Sequence, residues 1–125
     1  MSVGRVERGA RAECRGRAAE AAAAAALIAE GWVILARRLR TEAGEIDLIA
    51  TRDGLLAFIE VKARASLAEA AAALTQHQRR RLLAAAEIVL AAQPDWTHAG
   101  VRFDVIVVDR AGRLRRISDA FRVED

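Results

Sequence analysis

Three apolar-rich runs in the first half of the chain have strand character: Trp32–Arg40, Glu45–Thr51 and Leu55–Arg64. Asp53-Gly54 between the last two predicts a two-residue hairpin turn. Ahead of them, an alanine-rich stretch from about Ala10 to Glu30 predicts a helix thin enough to pack closely on a sheet, and Gly31 is a good stop for it. Behind them, Ser66-Leu67-Ala68-Glu69 has capping-box form and opens a helical region reaching about Ala92, with Thr75 able to cap a second start inside it. Gln93-Pro94-Asp95 ends that region. Val101–Val108 is strongly β-prone, and a turn around Ala111-Gly112 leads to a short strand at Leu114–Ile117. From Ser118 onward one helical turn is expected. The order α-β-β-β-α-β-β predicts a mixed α/β sheet with helices against it. Residues 1–125 then form one domain, with 1–9 expected to be flexible.

Composition narrows this reading. The chain is 54% hydrophobic, but 30 of its 125 residues are alanine. Ile, Leu, Val and Phe still make up about a quarter of it, above the range typical of disorder. Cys14 is the one cysteine and cannot form an internal disulfide, and with only His77 and His98 there is no zinc-type ligand set. The longest apolar stretch, Ala18–Ala29, carries Glu20 and is too short and weakly hydrophobic to span a bilayer. With no apolar region suited to a signal peptide, a cytoplasmic protein without membrane association is expected. The formal charge is +3 and the isoelectric point 10.3, a lean towards polyanions that is weak by itself.

The carboxylates carry the chemistry. If Asp53-Gly54 closes the hairpin, Asp47 lies opposite Glu60 and Glu45 opposite Lys62, all four on one face, beyond apolar Ile49 and Phe58. Carboxylates directly across a ladder repel, which a divalent cation bound by hard oxygen ligands would relieve. The alternative is a solvated polar face on which Glu45 and Lys62 form a weak surface ion pair. Glu20 lies on the helical stripe of Leu27 and Ile28, where a carboxylate facing the sheet needs a partner or a metal; the alternative, left open by the Ala21–Ala26 run, is that Glu20 borders solvent. Leu74, Gln78, Ala85 and Val89 share another helical stripe, so Gln78 points at the sheet too, either as a donor to a carboxylate or phosphate or as a boundary residue. The Arg79-Arg80-Arg81 run reads as a solvated face, although arginine also grips phosphate. Trp32 is expected in the core and Trp96 at the surface.

Asp47, followed after twelve residues by Glu60-Val61-Lys62, resembles the PD-(D/E)xK nuclease signature. Four ordered blocks are similar to the YraN family of bacterial proteins, themselves similar to archaeal Holliday-junction resolvases. These are Gly16-Arg17-Ala18-Ala19-Glu20, Gly44-Glu45-Ile46-Asp47-Leu48-Ile49-Ala50, Glu60-Val61-Lys62-Ala63-Arg64 and Arg102-Phe103-Asp104-Val105. The resemblance covers about Gly16 to Val108. It implies a restriction-endonuclease-like αβββαβ core in which Asp47, Glu60 and the Val61 carbonyl bind Mg²⁺ or Mn²⁺. It also implies that Lys62 orients or activates the attacking water and that Glu20 completes the site. Asp47 follows Ile46 where the wider superfamily has proline, and Gln78 stands where relatives usually carry lysine. Arg64 and Arg102 are placed for flanking phosphates, although Arg102-Phe103-Asp104 also reads as a structural ion-pair motif.

Two functions follow. One is a Mg²⁺-dependent endonuclease acting on branched, flapped or single-stranded DNA, in repair or recombination, with a homodimer building the DNA surface. The other is a nuclease fold kept as a module that binds nucleic acid or a DNA-processing partner without turnover. Of the 20 basic residues 19 are arginine, and the one lysine is Lys62. By composition alone it would fall in Glu-x-Lys about one time in twenty. Lysine is a compact point donor, whereas arginine is bulky and always charged.

Overall fold

The structure, a computed structural model, describes residues 3–66, 68–69, 75–96 and 98–121, with the side chains of 3–15 and 118–121 outside the description. Its elements are α1 (Val3–Ala29), β1 (Val33–Thr41), β2 (Gly44–Arg52), β3 (Leu55–Ala63), α2 (Gln76–Ala92), β4 (Gly100–Val108) and β5 (Leu114–Phe121). The five strands form one sheet in sequential order, parallel between β3 and β4 and antiparallel elsewhere. This is the mixed α/β architecture expected, consistent with a restriction-endonuclease-like core.

Two expectations about element bounds are corrected. Helix α1 begins seven residues before Ala10, at Val3. The chain after Ser118 continues β5 to Phe121 instead of turning into a helix, because β5 stays hydrogen-bonded to β4 as far as the Phe103–Phe121 pair. The second helical region has both of its foreseen starts. Ser66 accepts from the Glu69 amide at 3.2 Å, and Thr75 caps α2 in a full capping box with Gln78. Leu74 lies outside the described residues.

Each helix takes one face of the sheet. Ala19, Ala23, Ala24 and Leu27 of α1 pack on Leu48, Ala50, Ala57, Ile59 and Ile106, so the alanine run becomes a close helix–sheet contact. Ile28, expected on the same stripe, is exposed. On the other face Leu82, Ala85, Ala86 and Val89 of α2 cover Ile46, Ile49, Leu56, Phe58 and Phe103. Phe58 and Phe103 stack there at 5.7 Å, a contact worth about 1 kcal/mol beyond its buried area. Trp96 is half-buried against this layer, correcting its expected surface position.

The end of α1 is fastened by charge. Trp32 is buried, with the guanidinium groups of Arg52, Arg102 and Arg116 at 4.9, 5.3 and 4.8 Å from its ring centre. Asp104, fully buried, accepts from Arg102 Nη2 at 2.8 Å and from Arg116 Nη2 at 2.7 Å. Arg116 also reaches Glu30, and Arg52 donates to the Glu30 carbonyl. The two arginines share Asp104 as their buried counter-charge, so its loss leaves Arg102 uncompensated and Arg116 with only the exposed Glu30. We expect Asp104→Ala to lower the unfolding free energy by about 3–5 kcal/mol, read from urea denaturation midpoints.

Candidate metal centre

The hairpin register runs as expected from Arg52↔Leu55 to Leu48↔Ile59 and then stops. The predicted pairs Asp47–Glu60 and Glu45–Lys62 do not form, because Asp47 takes the next backbone donor with its side chain. The Val61 N–H donates to Asp47 Oδ2 at 2.8 Å. From that point β2 and β3 part.

The break propagates into β1. Ile46 and Leu48, two residues apart, would share a face in an unbroken strand. Here Ile46 packs with the α2 layer and Leu48 with the α1 layer. On β1 the register places Arg38 across from Asp47, between the pairs Arg37↔Leu48 and Leu39↔Ile46. Arg38 has φ +51°, a left-handed conformation that costs a non-glycine residue about 1 kcal/mol. That conformation comes with an ion pair from Arg38 Nε to Glu20 Oε2 at 2.5 Å, bridging β1 and α1.

Into the opened end of the sheet project three carboxylates. Glu20, Glu45 and Asp47 each offer an oxygen within 4.8 Å of the others, the spacing of groups that could hold a metal ion. Glu20 comes from the margin of the buried stripe of α1, Glu45 and Asp47 from alternate positions at the start of β2. A cleft of about 380 Å³ opens beside them, lined by Gly16, Arg17, Glu20, Arg38, Arg40 and Glu45. Glu60 and Lys62, both nearly buried, form their own pair at 3.3 Å. Glu45 pairs with Arg40 at 3.5 Å on the surface, and not with Lys62.

Asp47 feels Glu60, Glu20 and Lys62. Its carboxyl is pushed up from 3.8 to about 7, first by burial and then by the negative charges of Glu60 and Glu20. The Val61 amide and Lys62 pull the other way without cancelling this. Burial and the neighbouring acids together disfavour a bare Asp47 carboxylate, which a bound cation would relieve. Hard carboxylate oxygens at this spacing could hold a metal ion.

Glu20, Asp47, Glu60, Val61 and Lys62, singled out in the sequence, thus meet at one end of the sheet, with Val61 attached through its amide. Three others do not. The Gln78 amide oxygen accepts from the Thr75 N–H at 3.0 Å, so it caps α2 and does not face the carboxylates. Arg102 is held by Asp104 under Trp32, the ion-pair alternative of the sequence motif. Arg64 lies past the end of β3 and lines a separate cavity of about 410 Å³ with Ala18, Ala22 and Arg110. Conversely, Glu45, placed by the sequence on the same face as Asp47 but not among the expected metal ligands, belongs to the acid cluster. Arg38 carried no signal, since its importance lies in a backbone angle.

The family described as uncharacterised protein family UPF0102 matches residues 19–108. A UPF0102 protein of Granulibacter bethesdensis is 60% identical over 97% of this chain and 77% of its own length. UPF0102 proteins of Azorhizobium caulinodans and Acidiphilium cryptum are 54% and 51% identical, over 90% and 92% of this chain and 86% and 89% of theirs. Among the described residues, no helix is long and apolar enough to cross a membrane.

Because the folded-state value of Asp47 is raised, the protonated form stabilises the metal-free fold. That stability is fully present below about pH 4 and is lost as pH rises through about 7. In urea melts without metal, Asp47→Asn should flatten this decline between those limits. An unchanged slope in the variant would contradict the assignment of the shift to Asp47.

Proposed function

The chain belongs to the UPF0102 family, the YraN family of the sequence resemblance, and from the centre it builds we propose that it is a metal-dependent endonuclease hydrolysing DNA phosphodiesters. The observation that carries this reading is the position of Asp47. It stands between the carboxylates of Glu20 and Glu45 on one side and the Glu60–Lys62 pair on the other.

Glu20, Glu45 and Asp47 are the residues that would hold Mg²⁺ or Mn²⁺, with Glu60 the next acid in reach of Asp47's field. Such an ion supplies Lewis-acid polarisation of a phosphoryl oxygen and acidifies water for in-line attack. The remaining work falls to the chain. Lys62, held against Glu60, offers a compact ammonium that orients the attacking water and offsets negative charge developing on the phosphoryl group. The Val61 amide fixes Asp47, so the carboxylate has one orientation before substrate arrives. Arg17, Arg38 and Arg40 line the cleft beside the acids, a wall suited to a polyanionic backbone and without base-reading geometry. That fits selection of branched, flapped or single-stranded DNA by shape, in a cytoplasmic repair or recombination setting, with a homodimer able to enlarge the surface.

A second reading, binding without turnover, is favoured by one observation. Glu20 and Glu60 are each already neutralised by a neighbour, Arg38 and Lys62. Metal affinity separates the two readings.

With Mg²⁺ or Mn²⁺ and a panel of flap, junction and single-stranded DNAs, the wild type should cleave at least one substrate. Asp47→Ala and Glu60→Ala should abolish cleavage, and Lys62→Arg should lower it by about 10²-fold or more. Calorimetry should detect Mn²⁺ binding to the wild type and none to Asp47→Ala. Cleavage persisting in the acid variants would sink the nuclease assignment; DNA binding with no Mn²⁺ heat would select the second reading.

A further inference from the structure

The half-buried arginines of this protein find acids or carbonyls: Arg38 pairs with Glu20, Arg102 and Arg116 with Asp104, and Arg52 bonds the Glu30 carbonyl. Arg81 does not. It lies in the second turn of α2, on the side facing the β1–β2 hairpin, and is half-buried. Its Nε is buried without a hydrogen-bond partner, and among the described residues no carboxylate pairs with it. A charged group with an unmet buried donor and no acid partner among the described residues is one that an anion from outside would stabilise.

The seat for Arg81 is shaped by its neighbour. Thr41 Oγ1 accepts from the amides of Ala43 and Gly44 at 3.1 Å each and donates to the Gly44 carbonyl, which folds the turn tightly. Gly44 then has φ +142°, and a Cβ there would lie 2.7 Å from Arg81 Cδ, 2.9 Å from Cγ and 3.2 Å from Nε. A glycine is required for the arginine stem to lie against the hairpin. Gly44 is next to Glu45 and three residues before Asp47. The unmatched cation is therefore held at the same end of the sheet as the acid cluster, on the α2 side.

We propose that Arg81 seats a phosphate group. The planar guanidinium fork matches phosphate oxygens, and a phosphate ester is an anion that can reach an arginine while a neighbouring ester engages a cation-loaded acid centre. The phosphate belongs either to a nucleic-acid backbone, which rests on the proposed nuclease reading, or to a free phosphate. Arg81 is then a positioning residue: it holds a flanking group and does not touch the reacting atoms.

Two measurements test this and separate it from the nuclease reading. In protein labelled with ¹⁵N-arginine, titration with inorganic phosphate should shift the Arg81 Nε–H resonance saturably, while acetate at equal ionic strength should not. The resonance is identified by its loss in Arg81→Lys. Absence of a phosphate-specific shift overturns the seat. In Ca²⁺, anisotropy with a short fluorescent single strand should show about a tenfold weaker Kd for Arg81→Ala. Its slope of log K against log salt should be smaller by about 0.7, and Arg81→Lys should keep the slope. If Arg81→Ala leaves both unchanged although the wild type binds DNA, the backbone source is overturned. If phosphate moves the resonance but the wild type binds no DNA, the seat stands for free phosphate and the nuclease reading falls.

Discussion

One side-chain hydrogen bond organises the acid-rich end of this molecule. By accepting from the Val61 amide, Asp47 puts a carboxylate where the β2–β3 ladder would place a backbone carbonyl. An ordinary ladder would carry on to Glu60 and leave two like charges face to face across it. Ending the ladder one pair earlier avoids that pairing and frees the start of β2 to turn. Ile46 then crosses to the α2 layer, Arg38 takes a left-handed backbone opposite Asp47, and Glu20 of α1 can enter from the other side. The acid cluster is a consequence of that break.

How much of this was legible in the sequence follows from the range of each interaction. Strand runs, the Asp53-Gly54 turn and the register from Arg52↔Leu55 to Leu48↔Ile59 are set by local pattern, and they were readable. So was the approach of Asp47, Glu60 and Lys62, because alternation and chain order bring them together once the hairpin closes. The stopping point of the ladder was not. It depends on a carboxylate competing with a carbonyl for one amide, and both outcomes have the same hydrophobic pattern. Gln78 shows a related ambiguity. Gln78 satisfied the capping-box spacing with Thr75 as well as the helical stripe, and the cap won because it meets an otherwise unpaired amide at the helix start. β5 ran past Ser118 for a reason no local signal carries: β4 offers it an edge to pair with.

The arginine-rich composition divides into two uses. Around Trp32, guanidinium groups act as mortar: three surround one indole and two share the fully buried Asp104, tying α1 to β2, β4 and β5. Arg102 belongs to that group, which is why a residue that looked like a phosphate contact is a structural one. At the other end, Arg17, Arg38 and Arg40 line the cleft beside the acids. A net charge of +3 understates this arrangement, since the sum averages an acid-rich centre with a basic wall.

Against that background the one lysine acquires a physical reason. Lys62 is almost fully enclosed, at 9% side-chain exposure, and its ammonium sits 3.3 Å from an equally enclosed Glu60. A guanidinium would bring a planar fork and several fixed donors into that space, and they would need acceptors in the plane. The acid in contact is Glu60, with Asp47 within electrostatic reach, and a rigid fork satisfied by both would close the centre on itself, as Asp104 is closed by Arg102 and Arg116. An ammonium with rotatable donors can hold Glu60 and still present a hydrogen to a third group. Arginine saturates carboxylates in this protein; at position 62 the chain uses the cation that does not.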